Sequence, residues 1–268
     1  MAMCDGNIRP GFMGLVSIGN NVLLAESASI APQQEVVTPD VMLGMPDVCA
    51  YYDGPLIWQG NVSGFLSSTA FNLIWPIVFN RSGGCELLNP EQVRVSLCGE
   101  GLNMTGFINQ FTVSVSAGDA VKFSMDVIGA TGGETSGSAG SFSCGVNGTE
   151  LATWRTANIS YDGIAIGGGG THDPCLQSFE LTVNNNIEPI YCIGLNEPGP
   201  ACFLPQRRTI TGSLTVYGVN FTPQIQTGTL GIFGKIIKGR FAPLQPSLST
   251  GVPTSTVAFS GLGVQDQA

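Results

Sequence analysis

The chain has few residues able to do bond chemistry, and they stand apart. Its single histidine, His172, lies in the run Gly-Gly-Gly-Gly-Thr-His-Asp-Pro-Cys. Any Ser-His-Asp or Cys-His arrangement would have to use it. A glycine-rich stretch is a poor place to hold a base against a nucleophile. Gly167 to Gly170 lacks the Lys-Ser/Thr that completes a phosphate loop. The acids Asp162, Asp173, Glu180 and Glu188 have no local spacing that suits paired-carboxylate catalysis or a calcium loop. The sequence therefore assigns no catalytic residue, no metal ligand set and no cofactor.

Sulfur is the remaining reactive element. Cysteines stand at Cys4, Cys49, Cys85, Cys98, Cys144, Cys175, Cys192 and Cys202. None are spaced C-x-x-C, so zinc and redox motifs are poorly supported. Three readings stay open: small buried hydrophobes, crosslinks within or between chains, and a nucleophile. Cys144, Cys175 and Cys202 fall in Gly/Pro-rich segments, which suit crosslinks better than core packing. All eight are candidate disulfide or crosslink positions.

The elements that would carry these residues read as β. Phe179, Leu181 and Val183 alternate with Ser178, Glu180 and Thr182, the period-two pattern of a half-buried strand. Asn184-Asn185-Asn186 follows as a turn, and Ile187 to Ile193 reads as the returning strand of a hairpin spanning Leu176 to Gly194. Strands are also predicted around Val16 to Leu24, Ser27 to Val37, Ile57 to Leu66, Val93 to Leu97 and Gln110 to Val115. Ala117-Gly-Asp119 turns the last of these into Val121 to Ile128. Ser67 to Asn80 is the one predicted helix, with Phe71, Ile74, Trp75 and Val78 on one face. Gly129 to Gly148 reads as a Gly/Ser-rich linker or long loop.

Composition sets outer limits. The chain has 268 residues, 43% of them apolar, enough for a sizeable core. Only 11% are charged, well below the ~25% of ordinary soluble domains, which suggests that other chains cover part of the surface. A net charge of −9 argues against a surface that grips nucleic acid. It leaves room for a passage along which a polyanion slides. The cluster Lys235 to Arg240 is expected to face solvent or an acidic neighbouring subunit. No secretory signal is visible at the start. The most apolar window, Phe71 to Phe79, is too short for a membrane helix and contains Pro76.

Three pairs of segments recur in the same order. Val16-Ser-Ile-Gly-Asn stands beside Ile159-Ser-Tyr-Asp-Gly, Ser29 to Val37 beside Thr182 to Ile190, and Asn61-Val-Ser-Gly-Phe-Leu beside Thr209-Ile-Thr-Gly-Ser-Leu. The order points to a duplicated β domain, with residues 1–135 as the first copy, 136–150 as a linker or loop and 151–268 as the second.

The second half then carries a resemblance. Its order is Ile-Ser-Tyr-Asp-Gly-Ile-Ala-Ile, the Asn-turned strand ending in Glu188-Pro189-Ile190-Tyr191, a Pro-rich loop, and Arg208, Ile210, Gly212, Ser213, Leu214 and Tyr217 in "R-x-h-x-G-S-h-x-x-Y", where h is apolar. This resembles the tail tube proteins of long-tailed bacteriophages over about 65 residues, and more weakly over the first half through the repeat. The resemblance implies a mainly β fold: tandem β-sandwich or half-barrel domains with one flanking helix. It implies inner sheets that join into a ring-shaped β-barrel. Rings would stack into a hollow tube that conducts DNA without binding it specifically.

The same resemblance implies a virion tail location after assembly in the host cytoplasm, with no membrane partner. The chief partner would be the chain itself, as a trimeric pseudo-sixfold ring or a hexameric ring. Tail sheath, tape-measure and baseplate proteins are further candidates. Ser178, Glu180, Thr182, Ser27 and Ser29 become candidate lumen-facing residues. Two other readings share the sequence features: a single-copy ring of the same fold (hub, adaptor or terminator), and, more remotely, a carbohydrate-binding β-sandwich.

Overall fold

The computed structural model describes residues 14–19, 21–37, 52–79, 90–97, 100–136, 151–161, 164–166, 175–193, 198–217, 226–243, 245–247 and 254–265. The fold is mainly β. Six strands and a helix come first: β1 (Gly14–Ile18), β2 (Asn21–Val37), β3 (Tyr52–Phe65), α1 (Ser68–Phe79), β4 (Glu91–Leu97), β5 (Glu100–Ser116) and β6 (Lys122–Ser136). Next are β7 (Ile159–Tyr161), β8 (Ile164–Ile166), β9 (Cys175–Asn184), β10 (Ile187–Ile190) and β11 (Cys202–Pro205). The last are β12 (Thr209–Tyr217), β13 (Gln226–Ile232), β14 (Lys235–Phe241), β15 (Gln245–Ser247) and β16 (Thr254–Gln265).

One antiparallel sheet of 14 strands runs through both halves, in the order β4-β1-β2-β3-β6-β5-β9-β12-β16-β14-β13-β7-β8, with β15 beside β16. A further β4–β5 pairing closes the first six strands into a ring. The second half repeats the pairings: β9 with β12, β12 with β16, β16 with β14, β14 with β13, and β13 with β7. The two patterns match if β8 and β9 together stand where β2 stands. Opposite Ser63 on β3 lies Ser27, and opposite Thr211 on β12 lies Thr182. Thr182 therefore occupies the place of Ser27, two residues from the alignment expected from sequence. An even shift keeps the same face.

A single core spans the two halves. Phe111, Val113, Phe123 and Met125 from the first half, and Phe179, Leu181, Leu214, Phe241 and Phe259 from the second, are buried in one cluster. The predicted helical face is the buried face of α1: Phe71, Ile74, Trp75 and Val78. The Ser67 hydroxyl caps its start by accepting from the Ala70 amide at 3.0 Å. The Phe71 ring packs on Trp75 and on Phe233, each at 4.9 Å, so the helix ties the β13–β14 turn to the first half.

Two expectations are corrected. The segment Leu176 to Gly194 is not a hairpin. Both edges of β9 are already taken, by β5 and β12, and β10 pairs instead with β11 in a separate two-stranded sheet. The Gly/Ser-rich run from Gly129 is strand as far as Ser136. Gly129 meets a need for close strand approach: a β-carbon there would collide with the Thr105 carbonyl on β5. Residues 137–150 lie outside the described residues. Leu151 and Thr153 beyond them form bridges to Ser67 and Ala120 of the first half.

Gly64 tests this close packing. It faces the bulge between Ala25 and Ser27, and a β-carbon there would strike the Leu24 carbonyl. Gly64→Ala is expected to cost about 1–3 kcal/mol through forced backbone shift. Chemical denaturation measures it as a lowered midpoint with unchanged slope.

Candidate functional site

The continuous sheet presents an organised polar face that crosses both halves of the chain. Residues directly opposite across a ladder share a face. One such row crosses eight strands: Ser27, Ser63, Ser124, Thr112, Thr182, Thr211, Ser260 and Arg240. Seven consecutive hydroxyls end in one guanidinium. Ser27 and Ser63 share a hydrogen bond at 2.8 Å, and Thr112 and Thr182 share one at 3.0 Å.

Three further rows run parallel to it. Ser29, Asn61, Asp126, Gln110, Asn184 and Thr209 form one. Lys122, Ser114, Glu180, Ser213 and Ala258 form another. Ser116, Ser178, Thr215, Thr256 and Gln245 form the third. The Asn61 amide donates to the Asp126 carboxylate at 2.6 Å, and Lys122 lies 5.8 Å from the Phe65 ring. All five residues expected on a polar wall, Ser178, Glu180, Thr182, Ser27 and Ser29, thus fall on one face.

Charge within these four rows is balanced, although Lys238 is also exposed on the Arg240 side of β14. The four rows hold Lys122 and Arg240 against Asp126 and Glu180. The net −9 of the chain is therefore not concentrated here. Adhesion of a polyanion needs an excess of Lys and Arg, which these four rows lack. The predicted basic cluster is split by alternation: Lys238 and Arg240 are exposed, while Ile237, Gly239 and Phe241 point inward.

Behind the sheet, the Asn-rich turn does a different job from the one predicted. Asn185 is buried at 1% exposure. Its amide nitrogen donates to the Val78 carbonyl at 3.2 Å and the Ile108 carbonyl at 2.8 Å, and its oxygen accepts from Arg208 Nε at 2.7 Å. Arg208 also donates to the Val78 carbonyl at 3.2 Å and lies 4.8 Å from the Phe79 ring. One polar cluster therefore fastens the end of α1, the β5–β9 junction and the start of β12. Asn186 takes the left-handed backbone, φ 48°, and its side chain donates to the Arg207 carbonyl and Thr209 hydroxyl, each at 2.7 Å. The motif residues Arg208 and Glu188 have distinct uses. Arg208 belongs to the buried cluster, and Glu188 accepts from the Gln206 side chain at the surface.

The β10–β11 hairpin leans on the first half. Phe203 packs on Phe107 at 5.3 Å, in a small cluster with Ile57, Ile128 and Ile187. The Leu56 amide donates to the Pro198 carbonyl at 2.8 Å. Partial desolvation pushes the Tyr191 phenol above its ordinary value.

The reactive residues do not converge. Cys175, Cys192 and Cys202 are exposed free thiols. Cys4, Cys49, Cys85, Cys98 and Cys144 lie outside the described residues, as do His172, Asp162 and Asp173. Among the described residues no group of three or more His, Cys, Asp or Glu side chains could hold a metal ion. No helix of the described residues is long and apolar enough to cross a membrane.

Sequence reasoning missed the buried role of Asn185 and its partner Asn109, whose backbone carbonyl accepts from the Asn185 backbone N–H at 2.7 Å. It also missed that Ser63, Ser124, Thr112, Thr211, Ser260 and Arg240 share a row. The Ser/Thr alternation in each strand was the available signal, but rows need register.

Compared with known families, residues 33–231 match the model described as phage tail tube protein. No curated protein matches the chain.

Asn185→Ala would leave two buried carbonyls and Arg208 without this partner. It is expected to destabilise the chain by about 2–3 kcal/mol, chiefly through buried unsatisfied groups. Thermal unfolding of the purified variant measures it. A loss under 0.5 kcal/mol would mean that water replaces the amide at little cost.

Proposed function

The chain belongs to the phage tail tube protein family, a family of structural virion tail components, and from that premise we propose that it is the repeating subunit of stacked rings that conduct DNA. The observation that carries this reading is the hydroxyl row spanning eight strands, with a continuous apolar core behind it. Such a face suits the wall of a water-filled channel. It offers hydrogen bonds to a hydration layer, and its four polar rows carry no net charge for phosphates to bind.

Stoichiometry follows from width. Each chain brings the eight strands β2, β3, β6, β5, β9, β12, β16 and β14 to the polar face. Eight strands alone would close a barrel filled by its own side chains. Two chains give a ring of about 24 Å between backbones at ~4.8 Å per strand, too narrow for a duplex once side chains are counted. Three chains give roughly 37 Å before strand tilt widens it, room for double-stranded DNA. The repeated pairing order supports the same count, because two similar units in each of three chains make a pseudo-sixfold ring. The β2 edge beyond Leu23, on the side away from β3, has no partner strand among the described residues, and neither has the β15 edge away from β16. Closing the ring would cover these edges.

A ring-sized species of three 27.9 kDa chains, about 84 kDa (3 × 27.9), is expected in native mass spectrometry. Ser124→Lys with Thr182→Lys, both in the hydroxyl row, should make assembled tubes retain duplex DNA at low salt and release it as salt rises. Wild-type tubes should retain none. Equal retention by both would place this face away from the channel.

A further inference from the structure

Among the described residues most large exposed apolar side chains lie toward the two ends of the strands, with Leu73 on α1 and Leu262 on β16 besides. β9 and β12 run antiparallel, so Asn184 and Thr209 mark one end, and Cys175 and Tyr217 the other. The ends lie about 30 Å apart at ~3.3 Å per residue. At the first end, the β10–β11 hairpin exposes Tyr191 (41%), Ile193 (108%) and Leu204 (50%). Val36, also exposed, sits nearby on β2, two residues from the Gln34–Leu56 pair beside which Pro198 docks. At the second end are Trp154, Leu151 and Tyr217, all exposed. Trp154 is held there by its amide, which donates to the Asp119 carbonyl in the β5–β6 turn at 3.0 Å.

The ends also differ in charge. The hairpin end carries three exposed acids, Glu188, Glu35 and Asp53, against one exposed cation, Arg207. At the opposite end the Arg155 guanidinium lies 5.1 Å from the Trp154 ring, a cation beside an exposed aromatic, and the one exposed acid in the adjoining turn is Asp119. Trp and Arg are the residues that most often anchor protein interfaces. Two unlike sticky surfaces on opposite ends of one molecule form a head-to-tail contact, which extends without limit when it does not close on itself.

We infer that the β10–β11 hairpin of one copy docks on the Trp154–Arg155 end of a second copy in the next ring, and that this contact elongates the tube. The inference rests on the ring reading proposed above, but it concerns a different surface. Sheet edges would close a ring, and strand ends would join rings.

The test is tube assembly by the full chain, followed by electron microscopy and sedimentation. Trp154→Asp and Ile193→Asp should each preserve rings and shorten mean tube length at least tenfold. Arg155→Glu should shorten tubes as well, and adding Glu188→Arg should restore much of the length. Folded Trp154→Asp and Ile193→Asp chains that build tubes of normal length overturn the inference. If those variants fail to fold, the charge pair decides: no shortening by Arg155→Glu, or no recovery in the double variant, overturns it. Wild-type rings that never stack overturn this inference and leave the ring reading standing. Wild-type chains that form no ring sink both.

Discussion

The structure depends on one sheet staying in register across the β5–β9 junction. There Thr112 meets Thr182 and Val113 meets Leu181, so wet and dry faces continue from one half of the chain to the other. A slip of one residue would put Phe179, Leu181 and Val183 in water and bury Glu180. Each such phenyl or aliphatic group is worth about 1.5–3 kcal/mol when buried, so the cost of slipping far exceeds any single hydrogen bond gained. The core is continuous for the same reason. Halves that share a sheet must share what lies behind it.

Asn185 and Arg208 secure that junction from the buried side. A helix end leaves carbonyls without partners, and Val78 is one of them. The structure meets this need from β9 and β12, not from the helix's own sequence. The position of α1 is thereby tied to the strand register of the second half. A buried amide with all three of its bonds made favours one arrangement over its near alternatives, since any shift leaves polar groups unpaired.

The mainly β class, α1 and its buried face, the β5–β6 turn and the Ser/Thr alternation were legible in the sequence because they are local and periodic. The polarity of Ser178, Glu180 and Thr182 follows from their alternation with large apolar residues. The partners of β9 were not legible. Antiparallel pairing with β5 and β12 depends on contacts tens of residues away, and the Asn run looked like a tight turn because Asn commonly makes one. The glycines from Gly129 looked like loop composition, although Gly129 itself permits close strand approach. The chain's −9 charge argued against a surface that grips nucleic acid, and the four polar rows balance Lys122 and Arg240 against Asp126 and Glu180. Net charge is a sum over the whole chain and does not locate itself on a face.

The most direct measurement is a high-resolution electron-microscopy reconstruction of tubes assembled from the purified chain. The account predicts a wall of twenty-four strands contributed by three chains, with Ser27, Thr112, Thr182 and Ser260 at one height facing the channel. A wall built from six chains, or one in which these hydroxyls face outward and the core behind them faces the channel, would contradict it.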